Sequence, residues 1–326
     1  MQISLAQAIS LLKQGEVVAI PTETVYGLAA DATNPTALKK IYEIKERPQT
    51  NPLIVHLADV TQVNRWAAEF PLLAQKIAHA FWPGPLTLVL EAKPAVSGIL
   101  TANQPTIALR VPNHPVALEL LQKTGLALAA PSANKYTQLS PTTVAHVEAG
   151  LGENIPVLQG GACKVGIEST IVHVYKNAMG HWQWQLLRQG MVSQAQIAEV
   201  TQMLPAERQT MTQKKVPVPG QHHLHYSPKT PLALVKGKTL LLEKVKQCMA
   251  NNKSCAVLLL AEDSSVNTWP CEVSLLPTSA AIYAENLYAT LHALDGLKVQ
   301  QLLIEMPPET PDWLPILDRL QRASHH

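Results

Sequence analysis

Apolar residues along the first two hundred positions follow two rhythms. One is helical: Leu5, Ala8, Ile9, Leu11 and Leu12 follow Ser4 and Gln7, which form a capping box, and Gly15 is placed to end the helix. Asn34 and Pro35 open a second helix whose Leu38, Ile41 and Tyr42 share a face before Pro48 stops it, so Lys45 and Arg47 lie at its end. The other rhythm is short and β-rich. Runs at 17–20, 53–57, 86–90, 106–111, 126–130, 170–175 and 182–187 read as strands, and helices are expected over 71–80, 115–123 and 194–203. Residues 1–203 therefore form one α/β domain with a mixed sheet.

Periodicity fades over 204–230, where Pro205, Pro217, Pro219, Gly220 and Pro228 mark an extended linker. Strand-like runs at 232–235, 256–261, 273–276 and 302–306 then alternate with helical stretches at 240–249 and 280–294, before a last helix. That alternation favours βαβ crossovers and a parallel sheet, so residues 231–326 read as a small Rossmann-like α/β domain. It carries no G-x-G-x-x-G, and dinucleotide binding is not expected of it.

Composition adds mainly exclusions. The 326 residues suit two domains, each able to bury a core; 15% are charged and the formal net charge is +2, so a broad basic surface for nucleic acid is not advertised. Cys163, Cys248, Cys255 and Cys271 have neither C-x-x-C nor paired spacing, which argues for a reducing cytoplasm over a zinc or disulfide framework. No leader and no membrane-spanning stretch is read.

Candidate chemistry lies in loops at the ends of apolar runs. No P-loop is present, so a phosphate would be met by side chains, with Lys45 and Arg47 the first candidates; complementing the helix dipole is the competing reading. Ser132 and Asn134 leave the apolar run 126–131 where open α/β sheets place ligands, although both are also ordinary turn residues. Arg110 within a strand calls for a carboxylate or phosphate, from ligand or from protein. Thr22, Thr24 and Tyr26 alternate along an extended segment and would share a face, and His56 alternates with apolar residues in a strand, a structural position more often than a functional one. Gly166, Glu168, Ser169 and Thr170 lead into one strand, and Arg188 ends the next. His222, His223 and His225 suggest a metal but lack acidic or thiol partners nearby, and no activated nucleophile is evident.

Taken in order, PTETVYGL, KERPQTNPL, FWPGPLT, ALRVP, APSANKYTQLSPTT, GGACKVGIESTIV and LLRQG resemble the YrdC-type threonylcarbamoyl-AMP synthases. PGQHHLHYSP and the α/β tail resemble the long, two-domain form of that family. The resemblance implies a twisted mixed sheet and a nucleotidyl-transferring enzyme of tRNA modification. Such an enzyme joins L-threonine, bicarbonate or CO₂, and ATP carried with Mg²⁺ into threonylcarbamoyl-AMP and pyrophosphate, and a tRNA threonylcarbamoyl transferase complex takes the product. Carried over by motif, Thr24, His56, Arg110, Ser132 and Ser169 would hold threonine. Lys45, Arg47, Asn51, Thr106, Asn134, Ser140, Arg188 and Tyr226 would hold ATP, with Lys45, Arg47, Ser132 and Asn134 as the catalytic set and no metal held by protein ligands alone. His173 after GIESTIV and Gln159 before GGACK depart from the acidic residues usual there.

Two rivals stand beside this reading. One is a module that binds double-stranded RNA or tRNA without synthase activity, which sparse aromatics and near-neutral charge disfavour. The other is a carbamoyl-adenylate enzyme, whose additional regions this chain lacks. The second domain is expected to act with the linker as a lid that keeps water from a labile adenylate.

Overall fold

The computed structural model describes residues 1–206, 226–260 and 269–324; His222, His223, His225 and most of the expected linker lie outside them. The chain divides into two compact units. One comprises Met1–Tyr136, Pro141–Lys164 and Glu168–Gln221, and the other Thr137–Ser140, Val165–Ile167 and His222–His326.

The first unit is built on ten strands: β1 (Gln2–Ile3), β2 (Val18–Ile20), β3 (Gly27–Asp31), β4 (Ile54–His56), β5 (Leu86–Glu91), β6 (Thr106–Arg110), β7 (Leu128–Ala129), β8 (Val157–Leu158), β9 (Thr170–Lys176) and β10 (Trp182–Arg188). Their spatial order is β1-β8-β2-β3-β7-β4-β6-β5-β9-β10, with parallel and antiparallel neighbours mixed. Helix α1 (Leu5–Lys13) has the Ser4–Gln7 capping box in both directions, and Gly15 follows it at φ 79°. Helix α2 (Pro35–Lys45) starts on Asn34, whose side chain accepts from the Thr36 and Ala37 amides, and ends in a left-handed Glu46. That turn carries the chain from Lys45 to Arg47.

Alternation along the central strands separates two faces. Val55, Leu88, Leu90, Ile107, Leu109 and Val172 enter the main core. Ile54, Val89, Ala108, Ile171 and Leu187 form a separate small cluster on the other face. By the same period of two, His56, Thr87, Thr106, Arg110 and Ser169 belong with that second cluster. A small apolar floor is thus ringed by polar groups.

Several short elements were not legible as such, among them the strands Gln2–Ile3 and Val157–Leu158. Gly27–Asp31 is Gly- and Ala-rich and a poor β former, yet it pairs with both β2 and β7, so sheet context fixes it as a strand. The Val144–Leu151 helix is short and begins at Thr143, whose hydroxyl accepts from the His146 amide. The segment 22–26 also differs from the extended reading. Thr22 Oγ1 accepts from the amides of Thr24 and Val25, both at 3.2 Å, and the chain turns there because a threonine hydroxyl replaces ladder bonds.

The second unit contains β11 (Leu232–Val235), β12 (Cys255–Leu260), β13 (Glu272–Leu276) and β14 (Gln301–Glu305), all parallel, in the order β11-β14-β12-β13. Helices Lys238–Ala250 and Ala280–Gly296 make the crossovers. Its core gathers Leu241, Val245, Val257 and Leu259 with Cys248, Cys255 and Cys271, so cysteines far apart in sequence meet as small apolar side chains. Burial raises the Cys255 thiol to about 12, away from reactivity.

Candidate active site

Lys45 and the S-x-N segment meet directly. Lys45 is 1% exposed, and its ammonium donates to the backbone carbonyls of Ser132 at 2.5 Å and Asn134 at 2.6 Å. The end of α2 is thereby tied to the loop after β7, across 87 residues of sequence. Burial first, then the charges of Arg47 and Lys135, push the Lys45 pKa well below the usual lysine range. An anion arriving there would relieve all three penalties. Arg47 donates to the carbonyls of Asn51 at 3.3 Å and Pro52 at 3.0 Å and lies over the Tyr136 ring at 5.8 Å. Asn51 Nδ2 in turn donates to the Tyr136 hydroxyl at 2.9 Å. Lys45, Arg47, Asn51, Ser132 and Asn134 thus form one connected group.

A second group lies at the end of β6. His56 on β4 is in register with Arg110 on β6 and Leu128 on β7. The Arg110 guanidinium donates to Thr24 Oγ1 at 3.0 Å and the Gly84 carbonyl at 3.2 Å, and it pairs with Glu23 at 2.7 Å. Arginine and glutamate are 4% and 6% exposed. The strand cation therefore has a protein carboxylate, and Glu23 is the residue that sequence reasoning passed over, although it sits inside PTETVYGL. His56 is 2% exposed, and burial with the nearby Arg110 charge holds its pKa down to about 3, so the ring is neutral at physiological pH. Its Nδ1 has no partner among the described residues.

A third group joins Ser169 and Arg188. The arginine donates through Nε to the Ser169 carbonyl at 3.0 Å and through Nη2 to Ser169 Oγ at 3.2 Å. Thr87 on β5 exchanges a hydrogen bond with Ser169 Oγ at 2.8 Å. As the one polar residue in LTLVL, Thr87 carried a signal that was missed. Gly190, which ends LLRQG, lies where a Cβ would come within 2.4 Å of the Thr170 amide, so glycine permits β10 to close against this loop.

Not every motif residue falls in these groups. Thr106 opens β6 at the end opposite Arg110, paired with Glu91. Ser140 and Tyr226 belong to the second unit, where the Ser140 carbonyl meets His292 Nε2 at 3.1 Å, and Tyr226 lies 6.0 Å from Tyr288 with Arg319 over its ring at 5.3 Å. His173 stacks on Tyr175 at 4.6 Å, and burial lowers its pKa to about 4, so it presents a neutral ring. Among the described residues no three His, Cys, Asp or Glu side chains gather as a metal site, and no helix is long and apolar enough to cross a membrane.

The family model Sua5_yciO_yrdC, described as telomere recombination, matches residues 10–190, and the model of the threonylcarbamoyl-AMP synthase C-terminal domain matches residues 192–325. Over 98% of the chain and 92% of the relative, it is 38% identical to the threonylcarbamoyl-AMP synthase of Bacillus subtilis. The synthase of Pyrococcus abyssi is 34% identical over 97% of this chain and 93% of its own. A crystal structure of P. abyssi Sua5 complexed with L-threonine superposes with a TM-score of 0.88 at 31% identity, covering 99% of this chain and 97% of that one. With both its domains matched in order and its K-x-R lysine bonded to its S-x-N backbone, the chain belongs to the Sua5–YciO–YrdC family.

Proposed function

We propose that this chain is an L-threonylcarbamoyladenylate synthase, joining L-threonine, bicarbonate or CO₂, and ATP into threonylcarbamoyl-AMP with release of pyrophosphate. The observation that carries the reading is the Lys45 bridge, which binds the cationic group to the loop of Ser132 and Asn134. Full-length similarity to proteins named threonylcarbamoyl-AMP synthase supports it. Thr24, His56, Arg110, Ser132 and Ser169 take threonine. Lys45, Arg47, Asn51, Asn134 and Arg188 take ATP, and Thr106, Ser140 and Tyr226 share that role by motif likeness.

The chemistry calls for positioning and charge balance more than for a covalent nucleophile. Threonine's neutral amine adds to CO₂, and an oxygen of the resulting carbamate attacks the α-phosphorus while pyrophosphate leaves in line. Lys45, Arg47 and Arg188 hold phosphate oxygens as charge moves to the leaving group. Neutral His56 accepts or donates a hydrogen bond without adding charge to the amino-acid end. Mg²⁺ would enter on the nucleotide; the charged side chains of the Lys45–Arg47 group are cationic, so its ligands would be phosphate oxygens and water.

We place the reaction in the cytoplasm, upstream of a transferase that attaches the threonylcarbamoyl group to tRNA. The test is mass spectrometry of products formed from ATP, bicarbonate and each amino acid in turn. A threonine-dependent adduct of AMP is expected. Salt-dependent RNA binding with no threonine-dependent ATP consumption would overturn the reading, as would a product made from carbamoyl phosphate alone.

A further inference from the structure

Glu23 is a buried carboxylate of the first unit that the reaction above leaves unused. Its carboxylate is 6% exposed and meets Arg110 Nη2 at 2.7 Å. Among the described residues neither oxygen takes a hydrogen bond from another donor. The charged and titratable groups facing it are Arg110, His114 and Cys163, the last two sensed through space. Of these, His114 Nε2 is engaged with the Gly160 carbonyl at 3.1 Å. Thr24 and Gly84 occupy other edges of the guanidinium.

A carboxylate ligand docking on Arg110 would bring a second negative charge to a cation that already has one. Two carboxylates on one guanidinium repel, and burial magnifies the repulsion. A ligand escapes that penalty only by carrying its own cation on the Glu23 side. In an α-amino acid the ammonium nitrogen is two bonds, about 2.5 Å, from the carboxyl carbon, so both charges fit a pair spaced like Glu23 and Arg110. A zwitterion is thus selected over a plain carboxylic acid.

We propose that the Glu23 carboxylate receives the ammonium of the amino-acid substrate and takes one of its protons, an assignment that rests on Arg110 as the anchor for the substrate carboxylate. Glu23 becomes a neutral carboxylic acid, and the freed nitrogen lone pair forms the N–C bond to CO₂ as one C=O π pair moves onto oxygen. The second nitrogen proton joins the hydroxide released when bicarbonate dehydrates, giving water. In sum, threonine ammonium, bicarbonate and Glu23 carboxylate become carbamate, water and Glu23 carboxylic acid, which returns its proton to solvent after turnover. Protonation also removes the charge beside Arg110, leaving the guanidinium to the substrate carboxylate alone.

The experiment measures threonine- and bicarbonate-dependent pyrophosphate release against pH for the full-length chain and for Glu23→Gln. At pH 7 the variant should lose roughly 100-fold or more in kcat/KM for threonine, with the KM for ATP little changed. The deficit should shrink about tenfold per pH unit toward the ammonium's own pKa, because solution then supplies the neutral amine. A deficit equal at every pH, or none, overturns the assignment. Removing one partner of a buried pair can unfold a protein, so a second arm uses the unaltered chain. There 3-hydroxybutanoate, threonine without its amine, should displace bound L-threonine only at roughly 100-fold higher concentration or more, and displacement at equal concentration overturns the proposal. An unaltered chain without threonine-dependent turnover removes the reading of the reaction and this step with it. An active chain with an indifferent Glu23→Gln variant removes this step alone.

Discussion

β6 in the first unit, TIALR, and β12 in the second, CAVLLL, are both short apolar strands inside a sheet, yet they serve different ends. In β12 both faces are covered: Val257 and Leu259 enter one core, while Ala256 and Leu258 are buried on the other side. In β6 one face is core, through Ile107 and Leu109, and the other presents Thr106, Ala108 and Arg110. A parallel strand with helices over both faces has no position to spare for a polar group. A strand in a mixed sheet can release one face to chemistry. The contrast shows that a site can occupy a sheet face when only the strand-end positions, here Thr106 and Arg110, are polar.

The strongest challenge to that contrast is Lys45→Ala. It should cut threonine-dependent pyrophosphate release by roughly 100- to 1,000-fold, about 3 to 4 kcal/mol in the barrier, while circular dichroism stays that of the folded chain. Near-normal turnover would remove the first unit's claim to the chemistry. In the second unit the matching truncation is Leu258→Ala, which should cost about 3 kcal/mol in the stability of that domain by urea titration. A loss of catalytic rate at unchanged folded fraction would show that the second sheet does more than pack.

His56 sharpens the comparison through pH. Its folded pKa of about 3 lies below the unfolded value of 6.5, so the unfolded chain binds the proton first. The contribution is complete above pH 6.5 and declines as pH falls toward 3; over the two units down to pH 4.5 it amounts to about 2 to 3 kcal/mol. His56→Asn should flatten the acid limb of stability against pH by that amount, and an unchanged limb would assign the slope to other groups. The smallest effect is expected for Ser169→Ala, about 1 kcal/mol, seen as a several-fold rise in the KM for threonine with the KM for ATP unchanged. Equal shifts in both would place Ser169 on the nucleotide instead. Deleting residues 231–326 bears on the lid expectation: Thr137–Ser140 belong to the second unit, and the deletion removes His292, whose Nε2 meets the Ser140 carbonyl at 3.1 Å, so it should impair synthesis measured by adenylate yield.

Much was decided locally, and therefore readable along the chain. Ser4 with Gln7 and Asn34 with Pro35 start their helices through contacts within three residues. The alternation of the second half fixes parallel crossovers because each strand must find a covering helix. The ordered motifs likewise marked Lys45, Ser132 and Arg110. What no local pattern contains is the partner of each: that Lys45 ends on the carbonyls of Ser132 and Asn134, that Arg110 is matched by Glu23, and that Thr87 backs Ser169. Those choices depend on β4, β6, β7, β5 and β9 lying side by side, an order set by burial of long-range apolar faces rather than by neighbours in sequence. Sequence determined which side chains were available and at which strand ends they would emerge; only tertiary structure decided which charges were taken out of water together, because desolvation is a property of the assembled sheet and not of any one segment.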